Sequence, residues 1–179
     1  MSQMTDILDT DLPVVNLHPG ELFVAQEPTL IATLLGSCVS VCLFCPRQKT
    51  GAMCHGVMPV RPDLTVEDSF RFVETSVRYM VDVLTNGNRP CSNAGLVAKI
   101  FGGADVLDVS FGPVADARSI GAMNIKAARE ALARYNVSVT VEEVGGVHGC
   151  KLFFYTHTGE VLLRRIPRSS VPKVKMNAS

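Results

Sequence analysis

The sequence carries no excess of charge of either sign. Its 17 Lys and Arg residues balance 17 Asp and Glu residues. Proteins that bind nucleic acid or an anionic membrane surface usually show a basic excess or a basic cluster. The segment 169–179 contains only Lys173 and Lys175 as basic residues, too few for a polybasic anchor. The charge balance therefore gives no support to nucleic acid or a membrane surface as a partner.

The sequence also lacks a recognisable targeting segment and a membrane span. The N-terminal stretch MSQMTDILDTDLPVV is acidic, and no basic flank precedes an apolar run in it, so it does not resemble a signal peptide. No apolar stretch reaches the roughly 20 residues needed to cross a bilayer. We therefore expect a cytoplasmic protein without membrane insertion. In that compartment the six cysteines are expected to be reduced rather than joined in a disulfide framework.

Repeats and nucleotide motifs are missing as well. No internal repeat or low-complexity segment occurs, and no strand leads into a nucleotide-binding glycine pattern at a helix start. Dinucleotide cofactors are therefore not indicated. A length of 179 residues with 47% hydrophobic residues fits one domain with a buried core. We predict a single domain over residues 13–168 between flexible ends at 1–12 and 169–179.

What the sequence does contain is a series of short strands with two longer helices. Apolar residues recur at three- and four-residue steps over 66–84, which predicts an amphipathic helix. A second helix is predicted over 120–135, with Ser119 as its N-cap and Asn136 as its stop. Strands are predicted over 21–25, 29–34, 39–44, 52–58, 96–101, 137–144, 152–155 and 161–166. Because hairpins join most neighbouring strands, the predicted fold class is α+β: an α/β sandwich with a mainly antiparallel sheet system and two long helices.

Four of the six cysteines and one of the four histidines lie between Leu34 and Gly56. The C-x3-C-x2-C spacing of Cys38, Cys42 and Cys45 resembles the cluster-binding loop of radical S-adenosylmethionine enzymes. Strand alternation argues against that interpretation, because it places Cys38 and Cys42 on one face and Cys45 on the other. A zinc site at Cys38, Cys42, Cys54 and His55 lacks a second ligand pair at metal-binding spacing. Both metal sites remain weaker alternatives.

A catalytic cysteine is the third interpretation. Cys38 follows Gly36-Ser37, a small-residue turn that can expose the thiol and aim backbone N–H groups at a developing oxyanion. If the hairpin loop is centred near Arg47-Gln48, Cys38 faces residues 55 to 57, and His55 comes within reach of the thiol. The imidazole could then lower the thiol pKa and hold the thiolate as an ion pair. Simple packing of both residues in the core is the alternative, and spacing alone does not decide.

Several separate motifs resemble the CheD family of chemoreceptor glutamine deamidases, in the same order and spacing over roughly residues 14–166. They are Thr33-Leu-Leu-Gly-Ser-Cys38-Val-Ser-Val-Cys-Leu-Phe, Gly51-Ala-Met-Cys-His55-Gly-Val-Met-Pro59, Lys99-Ile-Phe-Gly-Gly-Ala-Asp, Ile120-Gly-Ala-Met-Asn, Glu142-Glu-Val-Gly-Gly and Thr158-Gly-Glu-Val.

The resemblance implies a cysteine-hydrolase-like deamidase fold over 13–168. It also implies hydrolysis of selected glutamine side chains of methyl-accepting chemotaxis receptors to glutamate, by Cys38 as nucleophile, His55 as base and Thr33 as the residue that orients the histidine. Some members hydrolyse receptor glutamyl methyl esters, and some bind the CheC phosphatase. No metal or organic cofactor is implied. The alternative function is a non-catalytic binding module for chemoreceptors or a CheC-type phosphatase.

The implied chemistry does not require the remaining cysteines or a second histidine. We assign Cys42, Cys45 and Cys54 to packing. Cys150 occupies a position where the family commonly has a basic residue, so substrate docking there can differ. His148 is expected to be a surface loop histidine rather than a second functional one.

Overall fold

Nine strands and two α-helices make up the regular structure of the described residues. These residues, in a computed structural model, are 11–63, 65, 69–87, 90–106 and 119–167. In chain order the elements are β1 (Val14–Leu17), β2 (Leu22–Val24), β3 (Leu30–Leu35), β4 (Val39–Cys45), β5 (Thr50–Cys54), α1 (Val73–Asn86), a 3₁₀ turn (Asn93–Gly95), β6 (Val97–Gly102), α2 (Ile120–Arg134), β7 (Ser138–Val144), β8 (Cys150–Tyr155) and β9 (Val161–Arg165).

The strands form two sheets. One has the order β1-β3-β8-β9, and the other has the order β2-β5-β4-β6-β7. Five neighbouring pairs are antiparallel, whereas β1 runs parallel to β3 and β6 runs parallel to β7. The predicted α+β class with a mainly antiparallel sheet system and two long helices is confirmed. The short strand β1 was not predicted, because its pairing with β3 depends on residues far away in the sequence.

Side-chain alternation along β4 builds three layers. Val39, Val41 and Leu43 face a core cluster that includes the buried sides of α1 and α2. Cys42 faces the opposite cluster, where the five-stranded sheet packs on the four-stranded sheet through residues such as Phe154. Because successive strand residues point to opposite faces, one strand serves both cores. The central sheet therefore has helices on one side and a second sheet on the other.

The first helix begins later than the sequence pattern predicts. The prediction covered 66–84, but Phe72 forms a parallel bridge with Met58, and the N–H of Val73 donates to the carbonyl of Met58. The residue before Val73 thus pairs with Met58, beyond the end of β5, instead of joining α1. Residues 66–68 of the predicted helix lie outside the described residues. A hydrophobic helical period cannot show this competition, because the bridging partner is distant in sequence.

The second helix has the predicted ends. Ser119 is the N-cap, and its Oγ accepts a hydrogen bond of 3.2 Å from the N–H of Ala122. Asn136 follows the helix with a positive φ of 54°, in the left-handed region that ends helices. The two predicted flexible ends, 1–12 and 169–179, lie almost entirely outside the described residues.

The prediction of six reduced thiols is wrong for two of them. Cys45 and Cys91 form a disulfide with Cα atoms 6.4 Å apart. Cys91 is brought over the end of β4 by the hydrogen bond from its N–H to the carbonyl of Leu84 near the end of α1. A separation of 46 residues gives no local signal for this pairing. Cys45 packs in the helix-facing core, as predicted, and the disulfide is an additional role that the prediction did not include.

The described helices contain no segment long and apolar enough to cross a membrane.

Candidate active site

Cys38 lies where the chain passes from one sheet to the other. β3 of the four-stranded sheet ends at Leu35, and β4 of the five-stranded sheet begins at Val39. The three residues between them form the turn that the Gly36-Ser37 pair predicted. Cys38 is partly exposed and packs against the cluster between the two sheets. The thiol therefore has a buried side and a side open to solvent.

His55 is placed by the pairing of β4 with the segment that contains β5. Cys42 pairs with Met53, and Val39 forms an antiparallel bridge with Gly56. In this register Ser40 stands opposite His55. Cys38 lies on the same face as His55 and is its diagonal neighbour, and the Cα atoms of such a pair are about 7–8 Å apart. The hairpin loop is centred where the sequence predicted it. By strand register Cys38 and His55 thus lie on a shared face as diagonal neighbours.

The histidine is held rigidly from the other side by the turn between β1 and β2. The N–H of His55 donates to the carbonyl of Glu21 at 2.8 Å, and its carbonyl accepts from the N–H of Gly20 at 2.9 Å. His55 is only 3% exposed. Two backbone hydrogen bonds thus fix the main chain of His55, and its side chain is buried.

Thr33 contacts His55 across the two sheets. Its Oγ1 lies 2.8 Å from His55 Nδ1 and 2.9 Å from the carbonyl oxygen of Leu17. A hydroxyl has one hydrogen to donate, and the carbonyl can only accept, so the Thr33 hydroxyl donates to Leu17 and accepts from His55 Nδ1–H. This network assigns the proton to Nδ1 and leaves Nε2 as the basic nitrogen. Thr33 is therefore placed to orient the ring, although its role in catalysis stays a prediction.

Burial disfavours charge on both Cys38 and His55. It raises the pKa of the Cys38 thiol above its ordinary value of 9.0, and the residue's own N–H offsets this only in part. Burial also lowers the pKa of His55 below 6.5, against smaller opposing effects of the Leu17 carbonyl and the Glu21 carboxylate. Both directions favour a neutral thiol beside a neutral imidazole at pH 7. The ion pair expected from the sequence is therefore disfavoured in the free protein, because both groups lose hydration.

The loop after β6 supports the turn that carries Cys38. The N–H of Gly103 donates to the carbonyl of Cys38 at 2.8 Å, and the N–H of Ala104 donates to the carbonyl of Gly36 at 2.9 Å. Gly102 and Gly103 have φ values of 95° and 68°, which glycine adopts without strain. A side chain on Gly102 would also collide with the Cys38 carbonyl. The Gly-Gly pair of the Lys99–Asp105 motif thus has a structural reason.

Asn124 closes the Ile120–Asn124 motif, but the sequence assigned it no role. It is fully buried on the core face of α2, and its Nδ2 donates to the carbonyls of Ser37 at 3.1 Å and Val57 at 3.0 Å. Its Oδ1 is buried without a hydrogen-bond partner among the described residues. The available signal was a polar residue on the face of α2 that otherwise presents Ile125, Ala128 and Leu132.

The other cysteines and His148 lie apart from this site or inside the core. Cys42 and Cys54 are fully buried on opposite faces of the central sheet, where burial raises the pKa of both thiols, to about 11 for Cys54. Cys150 is buried between the sheets, so its thiol is not a surface contact. His148 is exposed in the loop between β7 and β8, as predicted. Within the described ranges, no three His, Cys, Asp or Glu side chains are placed to hold a metal ion.

Comparison with known proteins identifies relatives over most of the chain. The family model described as CheD chemotactic sensory transduction matches residues 58–165. A probable chemoreceptor glutamine deamidase CheD 2 of Geobacter sulfurreducens is 42% identical over 158 residues, which are 88% of this chain and 93% of the relative. A probable chemoreceptor glutamine deamidase CheD 1 of Anaeromyxobacter dehalogenans is 38% identical over 152 residues, 85% of this chain and 84% of the relative. The family-model match begins after Thr33, Cys38 and His55.

Proposed function

The chain belongs to the CheD family, and from that premise we propose that it hydrolyses the side-chain amide of selected glutamines in methyl-accepting chemotaxis receptors. The products are glutamate and ammonia. The observation that carries the proposal is the hydrogen bond between Thr33 Oγ1 and His55 Nδ1, on a histidine that shares a strand face with Cys38. Relatives named as probable chemoreceptor glutamine deamidases support the choice of substrate.

The first half-reaction forms a thioester. Because the neutral thiol and neutral imidazole are favoured, His55 Nε2 takes the Cys38 proton as the sulfur attacks the amide carbon. The carbonyl π electrons move to oxygen and give a tetrahedral oxyanion. The imidazolium then protonates the amide nitrogen, the C–N bond breaks, and ammonia leaves.

The second half-reaction restores the enzyme. His55 Nε2 removes a proton from water, whose oxygen attacks the thioester carbon. The C–S bond then breaks, the imidazolium returns its proton to the departing sulfur, and glutamate and the Cys38 thiol are released with His55 neutral again. Thr33 keeps the proton on Nδ1 in both halves and so keeps Nε2 available as the base. A receptor glutamyl methyl ester would follow the same route with methanol as the leaving group. No step calls on a metal or an organic cofactor.

The deciding experiment measures ammonia release from a receptor cytoplasmic fragment. We expect the wild-type chain to release ammonia. Cys38→Ala should release ammonia only at the background rate and should have the same unfolding midpoint as the wild type. Cys42→Ala is the matched control, because Cys42 lies on the same face of β4 but is fully buried. It should keep its activity and lose about 1 kcal/mol of stability at most. Equal activity of Cys38→Ala and the unchanged chain would disprove the role of Cys38.

The same assay separates the enzyme from the second candidate, a non-catalytic binding module. A module would bind the receptor fragment, or a CheC-type phosphatase, and release no ammonia from it. Binding of such a phosphatase, methyl-ester hydrolysis and a cytoplasmic location stay predictions. Binding without ammonia release would favour the module.

A further inference from the structure

Asn124 joins α2 to both segments of the proposed site. Its Nδ2 donates one hydrogen bond to the carbonyl of Ser37, the residue before Cys38. The other goes to the carbonyl of Val57, which stands opposite Cys38 when the β4–β5 register is continued past the Val39–Gly56 bridge. Reversing the amide would place Oδ1 against two carbonyl oxygens, so the orientation of the amide is determined. One buried amide thus holds two carbonyls beside the nucleophile.

The hydrogen bond from Asn124 to the Ser37 carbonyl fixes the direction of the next N–H group along the chain, that of Cys38. In a trans peptide the C=O and the following N–H point in opposite directions. With the Ser37 carbonyl held toward α2, the N–H of Cys38 points away from the helix. It lies near the sulfur of its own residue and offsets part of the rise in the thiol pKa. The carbonyls of Gly36 and Cys38 are held by Ala104 and Gly103, so this peptide cannot turn freely.

We propose that the backbone N–H of Cys38 stabilises the oxyanion of the tetrahedral intermediate, and that Asn124 is the positioning residue that aims this N–H. The inference rests on the proposed function. When Sγ bonds to the amide carbon, the carbonyl oxygen takes up negative charge within reach of that residue's own N–H. Donors of this kind stabilise the transition state because their direction is set before the charge appears. Asn124 contacts neither the substrate nor the sulfur.

The first variant for the test is Asn124→Leu, which removes both amide donors at similar volume. Ammonia release from a receptor fragment depends on the oxyanion, whereas alkylation of Cys38 by iodoacetamide forms none. We expect a loss in kcat on the order of 100-fold with little change in KM. The alkylation rate of Cys38 should fall far less than kcat, by about threefold at most, because the thiol is retained and its own N–H offsets only part of the rise in the thiol pKa.

Two further variants distinguish a specific effect on catalysis from a general loss of stability. Thr156→Val is the matched control, because Thr156 also holds buried backbone groups, the N–H and carbonyl of Thr29, at the opposite end of β3 from Cys38. It should lower the unfolding midpoint and leave kcat unchanged. Asn124→Asp keeps the volume and replaces the donor by an acceptor, so it should lose as much kcat as Asn124→Leu. If Asn124→Leu does not fold, the kcat of Asn124→Asp tests the role of Asn124 instead.

The outcomes separate this inference from the proposed function. Retention of kcat within about threefold in either variant would overturn the role of Asn124 while the proposed function stood. An equal fall in kcat and alkylation rate would overturn it too, because it would mean that Asn124 only holds the fold. A wild-type chain that releases no ammonia would overturn the proposed function, and this inference with it.

Discussion

At the scale of single residues, the proposed chemistry depends on the different surroundings of the two nitrogens of His55. Nδ1 donates to Thr33 Oγ1, whose own hydrogen is used on the Leu17 carbonyl. Nε2 is the nitrogen left to exchange protons. Many catalytic triads use a carboxylate for the third position, which also stabilises the imidazolium. A threonine supplies orientation without that charge, and this agrees with a histidine whose pKa is lowered.

Replacement of Thr33 by valine should test this orientation. Valine has nearly the same shape, but it removes the hydroxyl that accepts the hydrogen bond from Nδ1–H. That loss is worth about 1–3 kcal/mol, so kcat should fall by roughly 10- to 100-fold. Thr33→Ser keeps the hydroxyl and is the control, with most of the activity retained. Equal activity of the valine and serine variants would refute the orienting role.

The pH dependence should distinguish a neutral pair from an ion pair. His55 acts as base in its neutral form, so kcat/KM should rise with pH and pass its half-maximal value below pH 6.5, since burial lowers the pKa of His55 below that value. Alkylation of Cys38 by iodoacetamide needs the thiolate, so its rate should be very low at pH 7 and should still be rising at pH 9.0, because burial raises the pKa of the thiol above that value. His55→Gln should abolish ammonia release and leave the alkylation profile almost unchanged. Rapid alkylation of Cys38 below pH 7 would instead indicate an ion pair.

At the scale of secondary structure, the site depends on contact between the start of α2 and the end of β6. Gly121 in the first turn of α2 lies against the backbone of Gly103, and a side chain there would collide with the Gly103 carbonyl. This close approach lets Asn124, one turn later, reach the carbonyls of Ser37 and Val57. The Gly121 position therefore connects helix packing with the turn that carries Cys38.

Gly121→Ala should consequently affect both stability and activity. The added methyl group must push α2 away from β6, which we expect to cost about 1–3 kcal/mol in the free energy of unfolding. Ammonia release should fall as well, since Asn124 moves with the helix. Ala122→Ser, on the exposed side of the same turn, should change stability by less than about 0.5 kcal/mol. Urea unfolding and the ammonia assay on the two variants make the comparison, and an unaltered Gly121→Ala protein would contradict it.

At the scale of the whole molecule, charge and shape bear on how the substrate is recognised. The formal net charge is zero, so long-range attraction should contribute little to the encounter with receptors. Cys38 lies at the junction of two sheets with its thiol only partly exposed. The exposed side chain of Val106 adjoins Gly36 of the same turn. Under the proposed function, we expect recognition of the receptor to depend on short-range contacts around this turn.

Free glutamine should therefore be a poor substrate. It lacks the remote contacts whose binding energy would position the amide at the sulfur. We expect ammonia release from free glutamine to be slower by a factor on the order of 100 or more than from a receptor fragment at equal concentration. Cys38→Ala supplies the background for both substrates. Comparable rates for the two would identify a small-molecule amidase and exclude the receptor as the preferred substrate.

The local pattern of the sequence was sufficient for several features of this protein. Helical periodicity and capping residues located α2, and alternation placed Cys38 and Cys42 on one face of β4 and Cys45 on the other. The position of the hairpin loop was enough to bring Cys38 and His55 onto one face. These features depend on residues that are close in the chain, where periodicity and turn chemistry act directly.

The tertiary structure alone decided the features that join distant segments. The parallel pairing of β1 with β3, the bridge that delays α1 and the Cys45–Cys91 disulfide have no local signal. Burial raises the pKa of Cys38 and lowers the pKa of His55, and burial depends on how the two sheets pack. The role of Asn124 also depends on contacts between distant segments. Its position on an apolar helix face is visible in the sequence, but only the packed structure identifies the two carbonyls that it binds.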